Sequence, residues 1–331
     1  MERFALAAAV VLGFALTVAL CSLFVPLRRV LERREQQQQP VQSEQPWPAP
    51  LRAPLWGGLC AAAGTVAAVG VGWLAACVGQ PELLGSEGRL MTRLLTALAG
   101  SLAFGAVGLA EDVARMRSPA ALGLRRDVRL LLEALAAAFV LLLLRAAGCL
   151  PRGLGVPGAG YVLLGSAVPF LWAVLMVALA ECARIAERDE GAVCGAAFVA
   201  MLALMMVEAG LGVSGLAVLP AALAGALVAL GLWAFPPARL GAGCCGSLLA
   251  AGAIGCIPLS LDMTSLTVPL ALPFWAAGGL LAAQLLCAKR TGKPLRCWVK
   301  KHKMSPETVF LCSFALSAVG YVLALALLRW C

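Results

Sequence analysis

Apolar stretches about 20 residues long, each enough to cross a bilayer, recur from one end of this chain to the other. They lie near 4–27, 54–79, 90–110, 126–148, 161–180, 191–210, 214–235, 245–262, 266–288 and 307–330. Each predicts a helix, because isolated strands cannot satisfy their backbone groups in lipid. The seventh and eighth stretches are dominated by Gly and Ala, which define a span least sharply. No polar segment between stretches exceeds about 25 residues, which leaves no room for a soluble domain. The pattern predicts an all-α integral membrane protein: one polytopic domain over residues 1–331, with about ten transmembrane helices. Residues 32–50, rich in Glu, Gln and Pro, read as a flexible linker. Little positive charge precedes the first stretch and no small-residue cleavage site follows it. It therefore reads as a retained anchor.

Composition agrees with this picture. Of 331 residues, 62% are hydrophobic and 13% charged. The net charge of +9 is concentrated in particular loops. Segments 28–52, 111–125, 181–190, 236–244 and 289–306, with Arg126 and Arg129, hold 20 of the 26 Lys and Arg. By the positive-inside rule these five loops face the cytoplasm and both termini lie outside, as an even span count requires. The expected location is the plasma membrane. Nucleic-acid binding would need basic residues interleaved with aromatics on a soluble face, and the chain has none. Thirteen cysteines are scattered, mostly in apolar stretches, and the single histidine is His302. A Cys/His zinc site is not expected.

The chemistry-bearing residues lie in the basic loops. Glu111 and Asp112 form an acidic pair at the end of the third stretch, with Arg115 one turn on. Adjacent acids can share a divalent cation or act as a general base. They can equally pair with Arg115 and Arg129. In the segment 181–191, Glu181, Arg184 and Glu187 are spaced i,i+3, as in a helical ion-pair ladder. Glu111, Asp112, Glu187, Asp189 and Glu190, five acids on one face, would also suit a cation bridging to phosphate. The run from Lys289 to Lys303 is the most basic, suited to anionic lipid or to an anionic substrate such as a diphosphate. Between the seventh and eighth stretches lies Phe235-Pro-Pro-Ala-Arg239, followed by Gly243-Cys244-Cys245-Gly246-Ser247. This Pro/Gly loop offers thiols where a hard metal would want oxygen.

Taken in order, these pieces resemble the phospho-N-acetylmuramoyl-pentapeptide transferase family, within the wider polyprenyl-phosphate N-acetylhexosamine-1-phosphate transferases. Pro54-Leu-Trp-Gly-Gly58 is similar to the family's Pro-Thr-Met-Gly-Gly. Glu111-Asp112 falls on its paired aspartates, Arg115 on the lysine that follows, and Gly123-Leu124 with Arg129 on its Gly-Leu and next lysine. Phe235-Pro-Pro-Ala-Arg239 and Gly246-Ser247-Leu248 resemble its Phe-Pro-Pro-Ala-Lys and Gly-Ser-Leu. Thr291-Gly292-Lys293 resembles the basic stretch of its last loop.

The resemblance implies ten helices, Mg²⁺, and transfer of a sugar phosphate from a UDP-sugar to polyprenyl phosphate. It implies catalytic roles for Glu111, Asp112 and Arg115. It implies phosphate or substrate contacts from Arg129, Arg239, Lys293, Lys300, Lys301 and His302, and metal contacts from Glu187, Glu190 and position 244. A second copy of the chain or a cell-envelope protein are the partner classes left open.

The departures fall on the chemistry. The family's Asn-x-x-Asn-x-x-Asp-Gly-x-Asp-Gly becomes Glu181, Arg184, Glu187, Arg188, Glu190 and Gly191. Its metal aspartate becomes Cys244, a soft donor and mostly protonated at an ordinary thiol pKa of about 8.5. Its histidine triplet is absent. Losing one such group typically costs on the order of 10²-fold or more in rate. Two expectations follow: a family member with lost or strongly reduced transfer activity, or an active enzyme whose acids form a rebuilt Mg²⁺ site. A third, an unrelated transporter, would want charges at the membrane midplane.

Overall fold

A computed structural model describes residues 2–38, 56–79, 88–117, 123–151, 153–156, 160–163, 165, 167–187, 192–213, 215–235, 239–291 and 306–330. The helices are α1 (Glu2–Gln38), α2 (Gly57–Gly79), α3 (Gly88–Arg117) and α4 (Arg126–Ala146). They continue with α5 (Ala167–Ala186), α6 (Ala192–Gly210), α7 (Val218–Ala234), α8 (Gly243–Ser260), α9 (Thr267–Leu270), α10 (Leu272–Thr291) and α11 (Pro306–Trp330). Every apolar stretch predicted from the sequence coincides with a helix. Among the described residues, seven helices are long and apolar enough to cross a membrane. The segments Thr264–Leu270 and Leu272–Ala283 make an eighth span if their 64° bend is counted within one crossing. Helix α7 is apolar but short. Helix α4 carries Arg126, Asp127, Arg129, Glu133 and Arg145 along its apolar length.

Two local expectations are corrected. Helix α1 continues through Gln38, so residues 32–38 of the expected linker are helical; residues 39–50 lie outside those described. The Gly-rich segment after α4 contains an antiparallel hairpin, β1 (Gly153–Val156) with β2 (Gly160–Leu163), pairing Gly153 with Leu163 and Val156 with Gly160. The fifth span accordingly begins at Ala167, later than expected, because Val162 and Leu163 belong to the hairpin.

Helix α8, from one of the two stretches dominated by Gly and Ala, is the centre of the bundle. Every residue of α8 is buried. Its most extensive packing is against α3, with α5, α2 and α6 around it. Small side chains explain this place. Gly, Ala, Cys and Ser let helix backbones approach closely, which is how helices associate in an apolar solvent. Gly108 of α3 lies so near the first turn of α8 that a Cβ there would meet the Cys244 carbonyl and the Cys245 nitrogen. Gly58 of α2 meets the Gly246 nitrogen and the Ala242 carbonyl on the other side. We therefore expect Gly108→Ala to destabilise the protein by about 1–3 kcal/mol through overpacking. The midpoint of thermal unfolding in detergent measures this. Gly70→Ala, at a helix position with open space around it, is the control and should be neutral or slightly stabilising.

The close packing also brings loop-bearing ends together. The end of α3, the end of α5 and the start of α8 meet in direct side-chain contacts, and the start of α4 joins them. Phe24 of α1 stacks on Trp56 at the start of α2, with ring centroids 6.0 Å apart. Phe235, after α7, meets Phe310 of α11 edge to face at 5.4 Å. The ends of α3 and α5 and the starts of α4 and α8 thus lie together at one end of the bundle.

Candidate functional site

Four helices supply the charged cluster at that end. Asp112, fully buried near the end of α3, faces the first turn of α8. Its Oδ1 accepts the backbone N–H of Cys244 at 3.0 Å, and its Oδ2 accepts that of Cys245 at 2.9 Å. Helix N-termini present unpaired N–H groups and a positive partial charge. No side chain of α8's own N-cap, Ala242, supplies a cap. Asp112 fills that role from another helix and so engages both of its oxygens.

Glu111 is held differently. Its Oε1 accepts from Arg115 Nη2 at 2.8 Å and lies 3.7 Å from Arg129 Nη1. The Arg115 side chain extends further, with Nη1 at 3.5 Å from Glu187 Oε2 and 4.0 Å from Asp112 Oδ1. Arg129 Nε donates to Glu181 Oε1 at 2.7 Å, and Arg184 Nη2 donates to Glu181 Oε2 at 2.8 Å. The guanidiniums are mostly sheltered, Arg129 at 8% and Arg115 at 18% side-chain exposure. Charge-assisted bonds in such a setting are stronger than surface pairs, while each partner is costly to strand alone. The Cys244 thiol points at Glu187 Oε2, 3.7 Å away, and its carbonyl accepts from the Ser247 hydroxyl at 3.1 Å.

The sequence alternatives for the acidic pair thus divide between its two members. Glu111 pairs with Arg115 and Arg129, whereas Asp112 caps α8. The Glu181–Arg184 rung of the expected ladder forms, but Glu187 reaches across to Arg115. Arg129 joins the cluster. Arg239 is exposed at the start of the Pro/Gly loop's second half. Glu190, Lys293, Lys300, Lys301 and His302 lie outside the described residues. Glu133 was not singled out by sequence. It sits four residues after Arg129 on α4 and is fully buried. Its signal was available: a carboxylate one turn inside an apolar stretch, on the face of a cationic neighbour.

Mg²⁺ wants several oxygen ligands in near-octahedral order. Asp112 gives both oxygens to backbone N–H groups, Glu111 gives one to arginine, and the thiol of Cys244 is soft. Among the described residues no three His, Cys, Asp or Glu side chains are placed to hold a metal ion. The residues present do not fit a Mg²⁺ site. Arg115 holds the central position among Glu111, Asp112 and Glu187.

A family model described as glycosyl transferase family 4 matches residues 94–262. That range runs from α3 to the end of α8 and includes every member of the cluster. No curated protein matches the chain. With about half its length covered, and with the helices that build the cluster all inside the match, the chain belongs to glycosyl transferase family 4.

Proposed function

We propose that this chain is a non-transferring member of its family. On this reading it works at the plasma membrane in polyprenyl-phosphate-linked sugar metabolism. It keeps the fold that accommodates the lipid phosphate but does not transfer a sugar phosphate to it. One observation carries the reading. Asp112, at a position where the resemblance implies catalysis, engages both oxygens as the N-terminal cap of α8. The arginine clasp around Glu111 and Glu187 supports it, because a guanidinium stands where a cation-bridged phosphate would need open carboxylates. The same cluster rewards retention of the scaffold. Gly58 and Gly108 fix the approach of α2 and α3 to α8 whether or not chemistry follows.

The test is a purified sample in nanodiscs, supplied with UDP-GlcNAc or UDP-MurNAc-pentapeptide, undecaprenyl phosphate and Mg²⁺. Release of UMP should not exceed that of empty nanodiscs, while undecaprenyl phosphate should still be retained by the protein in native mass spectrometry. Mg²⁺-dependent turnover that disappears in Asp112→Asn would overturn the proposal. It would favour the second reading, a rebuilt acidic site. The convergence of Glu111, Asp112 and Glu187 on Arg115 is the feature that reading can draw on. It would require Arg115 to leave the cluster before a metal could enter.

A further inference from the structure

Glu133 is a buried carboxylate that the clasp does not use. It is 0% exposed, and neither Oε1 nor Oε2 has a hydrogen-bond partner. Helix α4 packs on α3 and α5. The charges that bear on Glu133 are Glu181 and Arg184 from α5, Arg129 from its own helix and Glu111 from α3, with Asp112 and Arg115 further along α3. Both arginines hold other carboxylates: Arg129 holds Glu181 and Glu111, and Arg184 holds Glu181 through Nη2. An ionised carboxylate left bare in such a place costs several kcal/mol.

The balance of the whole cluster points the same way. The carboxylates of Glu111, Asp112, Glu133, Glu181 and Glu187 outnumber the guanidiniums of Arg115, Arg129 and Arg184. The α8 N-terminus contributes roughly half a positive charge. Among the described residues the cluster is therefore short of positive charge. Glu111 Oε2 is also buried without a partner, so three carboxylate oxygens in this region are bare. A metal ion would want a third side chain, and no such trio exists among the described residues. The remaining small cation is a proton.

We propose that Glu133 is a proton-binding site, occupied at neutral pH, inside the helix bundle and one turn beyond the arginine clasp. This inference does not depend on whether the chain transfers sugar phosphate. The bound proton makes Glu133 neutral and lets Arg184 stay with Glu181. When the proton leaves to water, the charged carboxylate attracts Arg184, whose buried Nε has no partner in the present arrangement. Arg184 is then shared between Glu133 and Glu181, and the end of α5 that carries Glu187 is loosened. Proton occupancy thereby sets which carboxylate anchors α5.

Infrared difference spectroscopy of the protein in nanodiscs tests this directly. A protonated-carboxyl C=O band should be present at neutral pH, shift in D₂O and vanish on alkaline titration. It should be missing in Glu133→Gln and displaced in Glu133→Asp, leaving any signal of the other buried glutamate, Glu208, in place. Absence of the band in the wild type, or its survival in Glu133→Gln, overturns the proposal. So does stoichiometric Na⁺, Mg²⁺ or Ca²⁺ on the wild type that Glu133→Gln abolishes. If Glu133→Gln does not fold, the wild-type titration and the displaced band of Glu133→Asp decide.

Discussion

Replacing Asp112 with alanine should lower the stability of the purified protein by about 3–5 kcal/mol, the loss typical of removing one partner from a buried charged pair. Two charge-assisted hydrogen bonds disappear at once, those from the N–H groups of Cys244 and Cys245. Both donors are at the buried start of α8, where water does not replace the carboxylate easily, and stranded buried donors cost about 1–3 kcal/mol each. Asp112→Asn should fall between wild type and alanine, since it keeps one acceptor but turns an NH₂ group toward a second N–H. The midpoint of thermal unfolding in detergent gives the ranking. A carboxylate kept for chemistry alone behaves in the opposite sense, because neutralising a buried charge without a structural role usually stabilises. An Asp112→Asn variant as stable as wild type would therefore remove the capping role and the central support for a non-transferring member.

The helical stretches were legible because twenty consecutive apolar residues have one physical use, and the basic loops were legible because charge cannot stay in lipid. The order of importance among helices was not. Helix α8 is central because its small residues, which bury little apolar surface singly, permit the closest backbone contacts. In the cluster, short-range pairs could be read from spacing. Glu111 with Arg115 and Glu181 with Arg184 are one turn apart on their helices. The Asp112 cap joins residues 132 positions apart, and no local periodicity encodes it. Glu187 could be assigned to Arg184 by spacing, yet Arg115 lies closer once α3 and α5 are packed. The hairpin after α4 escaped because a Gly-rich segment gives no alternating pattern. Attention to loops hid Glu133, whose place is inside an apolar helix.

Cys244→Asp restores the residue type that the family resemblance places at this position, and we expect it to destabilise the protein without producing turnover. The thiol lies 3.7 Å from Glu187 Oε2, so a carboxylate in its place faces a second one at close range. Two like charges about 4 Å apart repel by roughly 4 kcal/mol at the effective dielectric of a protein boundary. The α8 N-terminus offsets about 0.3–1 kcal/mol of this. Arg115, 3.5 Å from Glu187, offsets more. A net loss of about 1–3 kcal/mol remains, within the common range for single substitutions. A divalent cation changes the sign of the interaction. Millimolar Mg²⁺ should raise the unfolding midpoint of Cys244→Asp, because a ligand that binds only the folded state stabilises it, while leaving the wild type unmoved. Turnover should still be absent, since Asp112 remains bound to the α8 backbone and Arg115 remains among the acids. If Cys244→Asp alone transfers a sugar phosphate with Mg²⁺, the cysteine is the sole lesion, and the arginine clasp is compatible with catalysis. If it binds Mg²⁺ and stays inactive, the clasp is the barrier, and Arg115 is the residue to change next.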